Sequence, residues 1–128
     1  MIAVDTSALM AIILNEPAAD HCQAVLQSHQ DLIMSAGTMT EALVVATGRK
    51  VTPRMLRLIS NLGIAIEPVT AATARRIAEI YARWGKGSHP AGLNFGDCFA
   101  YDVAKQNACP LLFVGDDFTR TDIQAAPT

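Results

Sequence analysis

Residues 2–17 read IAVDTSALMAIILNEP, and this stretch decides the fold class. The first three residues are apolar, and Asp-Thr-Ser follows at positions 5–7, a combination that is typical of the start of a helix. The apolar run Ala8–Leu14 then predicts a helix, which Pro17 prevents from continuing. A short buried strand that leads directly into a helix is the unit from which parallel sheets covered by helices are built.

The rest of the chain repeats this alternation of short apolar runs and helical segments. Further strands are predicted at Leu32–Met34, Ile64–Glu67 and Leu111–Val114. Further helices are predicted at Ala18–Ser28, Glu41–Thr47, Thr52–Asn61 and Asn94–Gln106. Because each strand is an almost continuous apolar run, we expect all of them to be buried on both faces of a central, mainly parallel sheet. The sequence therefore predicts an α/β fold with helices on both sides of the sheet.

The segment after the third predicted strand has the clearest helical pattern. Thr70 or Thr73 is its predicted N-cap. Apolar residues then recur at helical spacing, at Ala74, Ile77, Ala78, Tyr81 and Trp84. This spacing predicts that these side chains face the core.

Composition narrows the class of protein further. The chain has 128 residues, 51% of them hydrophobic, which suits a single domain over residues 1–128. The three cysteines form no CxxC pair, which argues against a disulfide framework or a zinc knuckle and favours the cytoplasm. The N-terminal apolar run is too short to span a membrane. A formal net charge of −2 is low for a nucleic-acid binder, so such a role would need local basic patches or bound metal.

Acidic residues occur where the predicted strands end or where the helices beside them begin. Asp5 follows the first strand, and Glu41 is predicted in the first turn of the helix after the second. Asp97 opens the helix before the last strand, and Asp116 and Asp117 follow that strand. In an open α/β sheet these positions lie along one edge, where ligands bind. The sequence therefore predicts that three or four carboxylates converge on one crevice.

Each of these acids also has a purely structural explanation. Residues 38–41 fit a capping box with Glu41 at its end, and residues 94–97 form an analogous arrangement with Asp97. Asp5 could be a plain N-cap, and residues 116–117 a plain turn. The alternative is a metal site, because clustered carboxylates repel one another unless a cation joins them or some are protonated. Oxygen ligands without His or Cys favour Mg²⁺ or Mn²⁺, and phosphodiester hydrolysis is the reaction class that follows.

Two other phosphate-handling families are excluded by residue identity. A haloacid dehalogenase-type enzyme needs a second Asp two residues after the first, where this chain has Ser7. A P-loop enzyme needs the pattern GxxxxGK[ST], which the glycine-rich loop at residues 85–92 does not supply.

Four blocks of sequence together resemble the PIN-domain VapC toxins of bacterial toxin–antitoxin pairs. They are MIAVDTSAL at the start, Glu41, GKGSHPAGLNFGDCFAYDVAK at 85–105 and PLLFVGDDFTRTDI at 110–123. The resemblance covers essentially the whole chain. It implies a three-layer α/β/α PIN-like fold with a four- or five-stranded sheet in one PIN domain over residues 1–128. It also implies a toxic endoribonuclease that uses Mg²⁺ or Mn²⁺ to cut single-stranded RNA.

The resemblance also assigns roles to the acids. It places the four catalytic acids at Asp5, Glu41, Asp97 and Asp116, with Asp117 as the alternative to Asp116. We expect Asp5 and Asp97 to bind the metal directly, and Asp116 to help through a water or as a ligand for a second ion. Glu41 would orient or deprotonate the attacking water or join the metal shell. Small hydroxyl residues beside the first acid are a family feature, matched here by residues 6–7.

Partners follow from the same resemblance. We expect an RNA substrate, a cognate VapB-type antitoxin that lies along a hydrophobic groove, a homodimer, and a heterotetramer or larger assembly with the antitoxin. No membrane association is expected. Asp102 departs from the family, which usually has a small residue at this position. The competing hypothesis is a PIN-like interaction module that has lost catalysis, in which the acids serve only as helix caps.

Overall fold

The central sheet has four parallel strands within residues 1–127, the part of the chain that this computed structural model describes. The strands are β1 (Ile2–Val4), β2 (Leu32–Ser35), β3 (Ala65–Glu67) and β4 (Leu111–Leu112). Their order in the sheet is β3-β2-β1-β4, and every neighbouring pair is parallel. Beyond β4, a single parallel bridge from Leu111 to Ala125 adds part of a fifth strand.

Helices connect the strands and cover both faces of the sheet. They are α1 (Thr6–Ile13), α2 (Ala19–Gln27), α3 (Ala36–Gly48), α4 (Thr52–Leu62), α5 (Ala71–Trp84) and α6 (Phe95–Gln106). The predicted three-layer α/β/α architecture is therefore confirmed. Within residues 1–127, no helix is both long enough and apolar enough to cross a membrane.

The two faces of the sheet carry separate hydrophobic cores because successive strand residues point in opposite directions. Ile2 and Val4 of β1 pack with helices α1 to α4. Ala3, the residue between them, packs on the other side with α5 and α6. Both faces are thus buried at β1, as the apolar run in the sequence predicted.

The edge strand β3 differs from the prediction. All three of its residues, Ala65–Glu67, are exposed, although the apolar run predicted a strand buried on both faces. The reason is its position: β3 pairs only with β2, and the long helices cover the middle of the sheet. Only Ile64, just before the strand, enters the core.

The helix α3 begins five residues earlier than predicted, and this changes the position of Glu41. Ser35 is its N-cap, with the Ser35 hydroxyl accepting a hydrogen bond from the backbone N–H of Gly37. The predicted capping box over residues 38–41 is therefore wrong. Since Glu41 lies in the second turn of the helix, its side chain is not used to cap the helix.

The buried face of α5 also differs from the prediction. Thr70 is the N-cap and forms a capping box with Thr73. The buried face contains Thr73, Ile77 and Trp84, whereas Ala74, Ala78 and Tyr81 are exposed. Alanines fitted the apolar spacing in sequence, but they contribute little buried area and therefore do not determine which face is inside.

Candidate active site: an acidic crevice at the switch point

The order of the strands creates a crevice at one edge of the sheet. β1 lies between β2 and β4, so the chain leaves β1 in one direction to build β2 and β3 and returns on the other side to build β4. Ligands of open α/β sheets bind at such a switch point, beyond the carboxyl ends of the strands. Asp5 follows β1 directly at this place, and the turn at residues 115–117 follows β4.

Asp5 is the N-cap of α1 and is almost completely buried, with 5% of its surface exposed. Its Oδ2 atom accepts hydrogen bonds from the backbone N–H of Ser7 at 3.1 Å and from the Ser7 hydroxyl at 2.6 Å. The Ser7 hydroxyl in turn accepts the backbone N–H of Val114 at 2.9 Å, which ties α1 to the segment after β4. The Oδ1 atom of Asp5 is buried and has no hydrogen-bond partner. This carboxylate therefore caps a helix with one oxygen and keeps the other free.

Asp97 reaches the same crevice from the first turn of α6. It completes a capping box with Asn94: Asp97 accepts the backbone N–H of Asn94 at 3.0 Å, and the Asn94 side chain accepts the backbone N–H of Asp97 at 2.8 Å. Burial, together with the negative charges of Asp5, Asp117 and Glu41, raises the pKa of Asp97 to about 7, against the lowering effect of the backbone hydrogen bond from Asn94. The capping role that the sequence predicted for Asp97 is confirmed, and the same side chain also lies near three other acids.

The pKa of Asp5 shifts in the same direction. Burial raises the pKa of Asp5, the hydrogen bonds from Ser7 lower it and the charge of Glu41 raises it, and the net result is a pKa of about 6. No Lys, Arg or His of residues 1–127 forms a salt bridge with Asp5, Glu41 or Asp97. Protonation or a cation from outside the chain is therefore what can relieve the repulsion between these acids.

Glu41 enters from α3 and is held on two sides. Its Oε1 atom accepts a hydrogen bond from the Thr6 hydroxyl at 2.7 Å. Its carboxylate lies against the backbone of Gly96, so closely that a methyl group on Gly96 would stand 2.6 Å from Cδ of Glu41. The carboxylate therefore lies between α1 and the first turn of α6, next to Asp97.

Two acids, Asp116 and Asp117, lie in the turn after β4, and they differ in their effect on Asp97. Both residues are exposed, and the turn begins at Gly115, whose φ of 101° suits glycine. The charge of Asp117 raises the pKa of Asp97, whereas Asp116 is not among the groups that do so. The sequence favoured Asp116 because it comes sooner after the strand.

The carboxylates are chemically suited to a hard divalent cation, but their positions do not form a complete metal site. Within residues 1–127, no three Asp, Glu, His or Cys side chains are close enough together to enclose a metal ion as they stand. The buried, unpartnered Oδ1 of Asp5 is nevertheless the kind of atom that requires a partner from outside the chain. All four candidate ligands are carboxylates, which suits Mg²⁺ or Mn²⁺.

Comparison with known proteins assigns the family. A family model described as the PIN domain matches residues 2–124. This chain belongs to the PIN-domain family. Ribonuclease VapC42 of Mycobacterium tuberculosis is 42% identical over 130 residues, with 98% of each chain covered. Ribonuclease VapC36 of the same organism is 41% identical over 125 residues, covering 94% of this chain and 90% of that relative. The resemblance found in the sequence motifs is thus confirmed.

Solved structures agree on the PIN fold. Mycobacterium tuberculosis VapC20, described as a Sarcin-Ricin loop cleaving toxin, superposes with a TM-score of 0.83 at 16% identity, with 100% of both chains covered. A chain of a toxin–antitoxin complex from Klebsiella pneumoniae superposes with a TM-score of 0.74 at 18% identity, covering 100% of this chain and 98% of that one. At such identities the likeness concerns the fold alone.

The chain also contains an ion pair between a buried carboxylate and a partly exposed arginine, which the sequence did not reveal. Asp102, which looked out of place as a charge on α6, accepts hydrogen bonds from Arg76 of α5, at 2.7 Å from Nε and 3.1 Å from Nη2. Asp102 is 5% exposed. The two partners are 26 residues apart on different helices, so no local spacing could have predicted the pair. The pairing with Arg76 explains how an acidic residue is accommodated at the buried position 102.

Proposed function

We propose that this protein is a VapC-type toxic endoribonuclease that hydrolyses phosphodiester bonds of single-stranded RNA in the cytoplasm, at the acidic crevice. The observation that carries the proposal is that the charges of Asp5, Glu41 and Asp117 act on Asp97 at the switch point, while no basic side chain among residues 1–127 forms a salt bridge with any of the four. Such an arrangement is unfavourable for folding alone, which suggests that it serves a ligand. The names of the VapC relatives support RNA as the substrate.

Mg²⁺ or Mn²⁺ is the proposed cofactor, held by Asp5 and Asp97 with help from the turn after β4. Asp5 offers a free buried oxygen, and Asp97 offers the oxygen that does not cap α6. Asp117 is the proposed contributor from the turn, in place of Asp116. When bound, such an ion neutralises charge on the phosphoryl group and so favours attack by water.

Glu41 is the proposed general base or water-orienting residue. Because Thr6 occupies Oε1, the Oε2 atom of Glu41 is the oxygen left to accept a hydrogen bond from the attacking water. Ser7 keeps the Asp5 carboxylate in a fixed orientation through its two hydrogen bonds. Each acid is thus positioned by a neighbour before substrate arrives, which is what an efficient site requires.

Cleavage of a single-stranded RNA, with and without EDTA, tests the proposal. The wild-type protein is expected to cut in Mg²⁺ or Mn²⁺, to stop in EDTA and to recover when the metal is restored. Asp5→Asn should not cut, whereas Asp20→Asn, a change at an exposed acid on α2, should cut normally. A folded wild-type protein that cuts no RNA in either metal would instead support the inactive interaction module.

A cognate VapB-type antitoxin is the proposed protein partner. The structural neighbour from Klebsiella pneumoniae is part of a toxin–antitoxin complex, which supports such a partner. The chain also has an apolar cavity of about 470 Å³ beside α3, lined by Ala36, Gly37, Thr40, Pro68, Val69, Phe95 and Phe99. Co-purification with the product of an adjacent small reading frame, and loss of cleavage in that complex, would test the pairing. The homodimer and the heterotetramer or larger assembly stay predictions, which sedimentation analysis can measure.

A further inference from the structure

Gly96 is the second residue of α6, and its backbone conformation does not require a glycine. Its φ is not in the left-handed region, in contrast to Gly63, Gly87, Gly92 and Gly115. Helical positions generally favour alanine over glycine, so a glycine here weakens the helix. The reason for glycine must therefore lie in what surrounds its missing side chain.

The neighbour of Gly96 is the carboxylate of Glu41. A methyl group on Gly96 would overlap Oε2 of Glu41 and would lie 2.6 Å from Cδ and 3.1 Å from Oε1. The three heavy atoms nearest to that position all belong to this one carboxylate. On the opposite side, Thr6 holds Oε1 with a 2.7 Å hydrogen bond. The carboxylate therefore fits between Thr6 and Gly96, and a methyl group on Gly96 would push it out of this position.

A second glycine shows that α3 and α6 approach each other through matched gaps. Gly37, in the first turn of α3, lies against the ring of Phe99 of α6, where a methyl group would also overlap. Each helix thus accepts one side chain of the other: Phe99 enters at Gly37, and Glu41 enters at Gly96. This close approach is what brings Glu41 to the first turn that also carries Asp97.

We propose that Gly96 is a positioning residue for the ribonuclease site: by lacking a Cβ atom it admits the Glu41 carboxylate between α6 and Thr6 and fixes the direction of Oε2. The inference rests on the proposed function for its effect on cleavage. It does not rest on it for the packing itself, which can be measured in the absence of RNA and metal.

A double-mutant cycle tests the proposal with four proteins: wild type, Gly96→Ala, Glu41→Ala and the double variant. Melting temperatures in EDTA are the first readout. In the wild-type background, Gly96→Ala is expected to lower Tm, because the new methyl group displaces Glu41. In the Glu41→Ala background the same change should leave Tm unchanged or raise it, because the space is free and alanine suits the helix. A reversal of this kind is not expected if Gly96 has a general packing role.

RNA cleavage at saturating Mn²⁺ is the second readout. Gly96→Ala should lower kcat about tenfold or more and change KM little, as losses of supporting contacts around a site do. In the double variant, Gly96→Ala should add nothing to the loss caused by Glu41→Ala. The matched control is Gly48→Ala on α3, where a methyl group would meet nothing within 4 Å: cleavage should stay as in wild type, and Tm should stay the same or rise.

Two results would overturn the proposal. One is an equal fall in Tm from Gly96→Ala in both backgrounds, or loss of folding in both, which would place the clash somewhere other than Glu41. The other is a Gly96→Ala variant that cleaves RNA like the wild type. If the wild type itself cleaves no RNA, the proposed function fails, while the Tm cycle still decides whether Gly96 accommodates Glu41.

Discussion

Two buried aspartates on the same helix have opposite surroundings. Asp97 and Asp102 both lie on α6 and are 7% and 5% exposed. Asp102 receives two hydrogen bonds from Arg76, so its charge is matched inside the fold. Asp97 receives one backbone hydrogen bond and otherwise faces Asp5, Glu41 and Asp117, which raise its pKa to about 7 together with burial.

This difference separates an acid whose charge the fold compensates from one whose charge the fold leaves uncompensated. A buried charge is tolerated when a partner and hydrogen bonds compensate it, as at Asp102. The Asp97 group has no such partner among residues 1–127, so its carboxylates remain available to a cation that is not part of the chain. Variants that neutralise one aspartate or the other should therefore have different effects on activity and on stability.

The largest expected effect is on RNA cleavage. Asp97→Asn should lower cleavage at least about a hundredfold, because even residues that only support metal ligands cost ten- to a hundredfold when changed. Asp102→Asn should leave cleavage by the folded fraction within a few-fold of wild type. Single-turnover assays in Mn²⁺ compare the two variants. Equal losses in both variants would remove the distinction between the two aspartates.

The second expected effect is on stability, and here Asp102→Asn should cost more than Asp97→Asn. Asp102→Asn should lower the free energy of unfolding by about 1–3 kcal/mol, because it weakens hydrogen bonds to a charged, buried group. Arg76→Met should lower it further, since it leaves the buried Asp102 carboxylate without its partner. Asp97→Asn should change it little or raise it in EDTA, because one repulsive charge disappears. Urea unfolding of the metal-free proteins measures all three.

The sequence predicted the positions of these acids better than their roles. Asp5 and Asp97 were found because strand ends and helix starts can be recognised from local residue patterns. The structure places Glu41 near Asp5 and Asp97, although the predicted start of its helix was wrong, because Ser35 at the end of β2 caps the helix.

Contacts between distant parts of the chain could not be predicted in this way. The Arg76–Asp102 pair joins two helices, and the packing of Glu41 on Gly96 depends on the approach of α3 to α6. The preference for Asp117 over Asp116 depends on the conformation of the turn at residues 115–117. None of these features leaves a periodic or local signal.

The third expected effect is smaller and concerns Asp116 and Asp117, the two adjacent acids of the turn after β4. Asp117→Asn should lower cleavage about tenfold or more if this residue supports the metal site, whereas Asp116→Asn should have a weaker effect. Both residues are exposed, so neither change should alter Tm appreciably. Cleavage rates of the two variants at equal Mn²⁺ concentration measure the difference. A larger loss in Asp116→Asn would restore the assignment made from sequence.

A further expected effect is the pH dependence of stability in EDTA. The pKa of Asp97 is raised from 3.8 to about 7 in the folded protein, so the folded state holds a proton that the unfolded state has lost. The resulting stabilisation is complete below the unfolded pKa and disappears as the pH rises through the folded one. Asp5, with a pKa raised to about 6, acts in the same direction.

Melting temperatures of the metal-free protein should therefore be higher near pH 5 than near pH 8. Asp97→Asn should reduce this slope, whereas Asp102→Asn should preserve it. Should wild type and Asp97→Asn show the same slope, Asp97 would not be the group that titrates.

Calorimetric titration of Mn²⁺ into the EDTA-treated and dialysed protein tests the central claim most directly, because it needs neither RNA nor an antitoxin. Wild type and Asp102→Asn should bind Mn²⁺ with similar affinity and release protons near neutral pH, while Asp5→Asn and Asp97→Asn should bind it at least about tenfold more weakly. Undiminished Mn²⁺ binding by Asp5→Asn and Asp97→Asn, or the absence of binding by the wild type, would contradict a metal site at the acidic crevice.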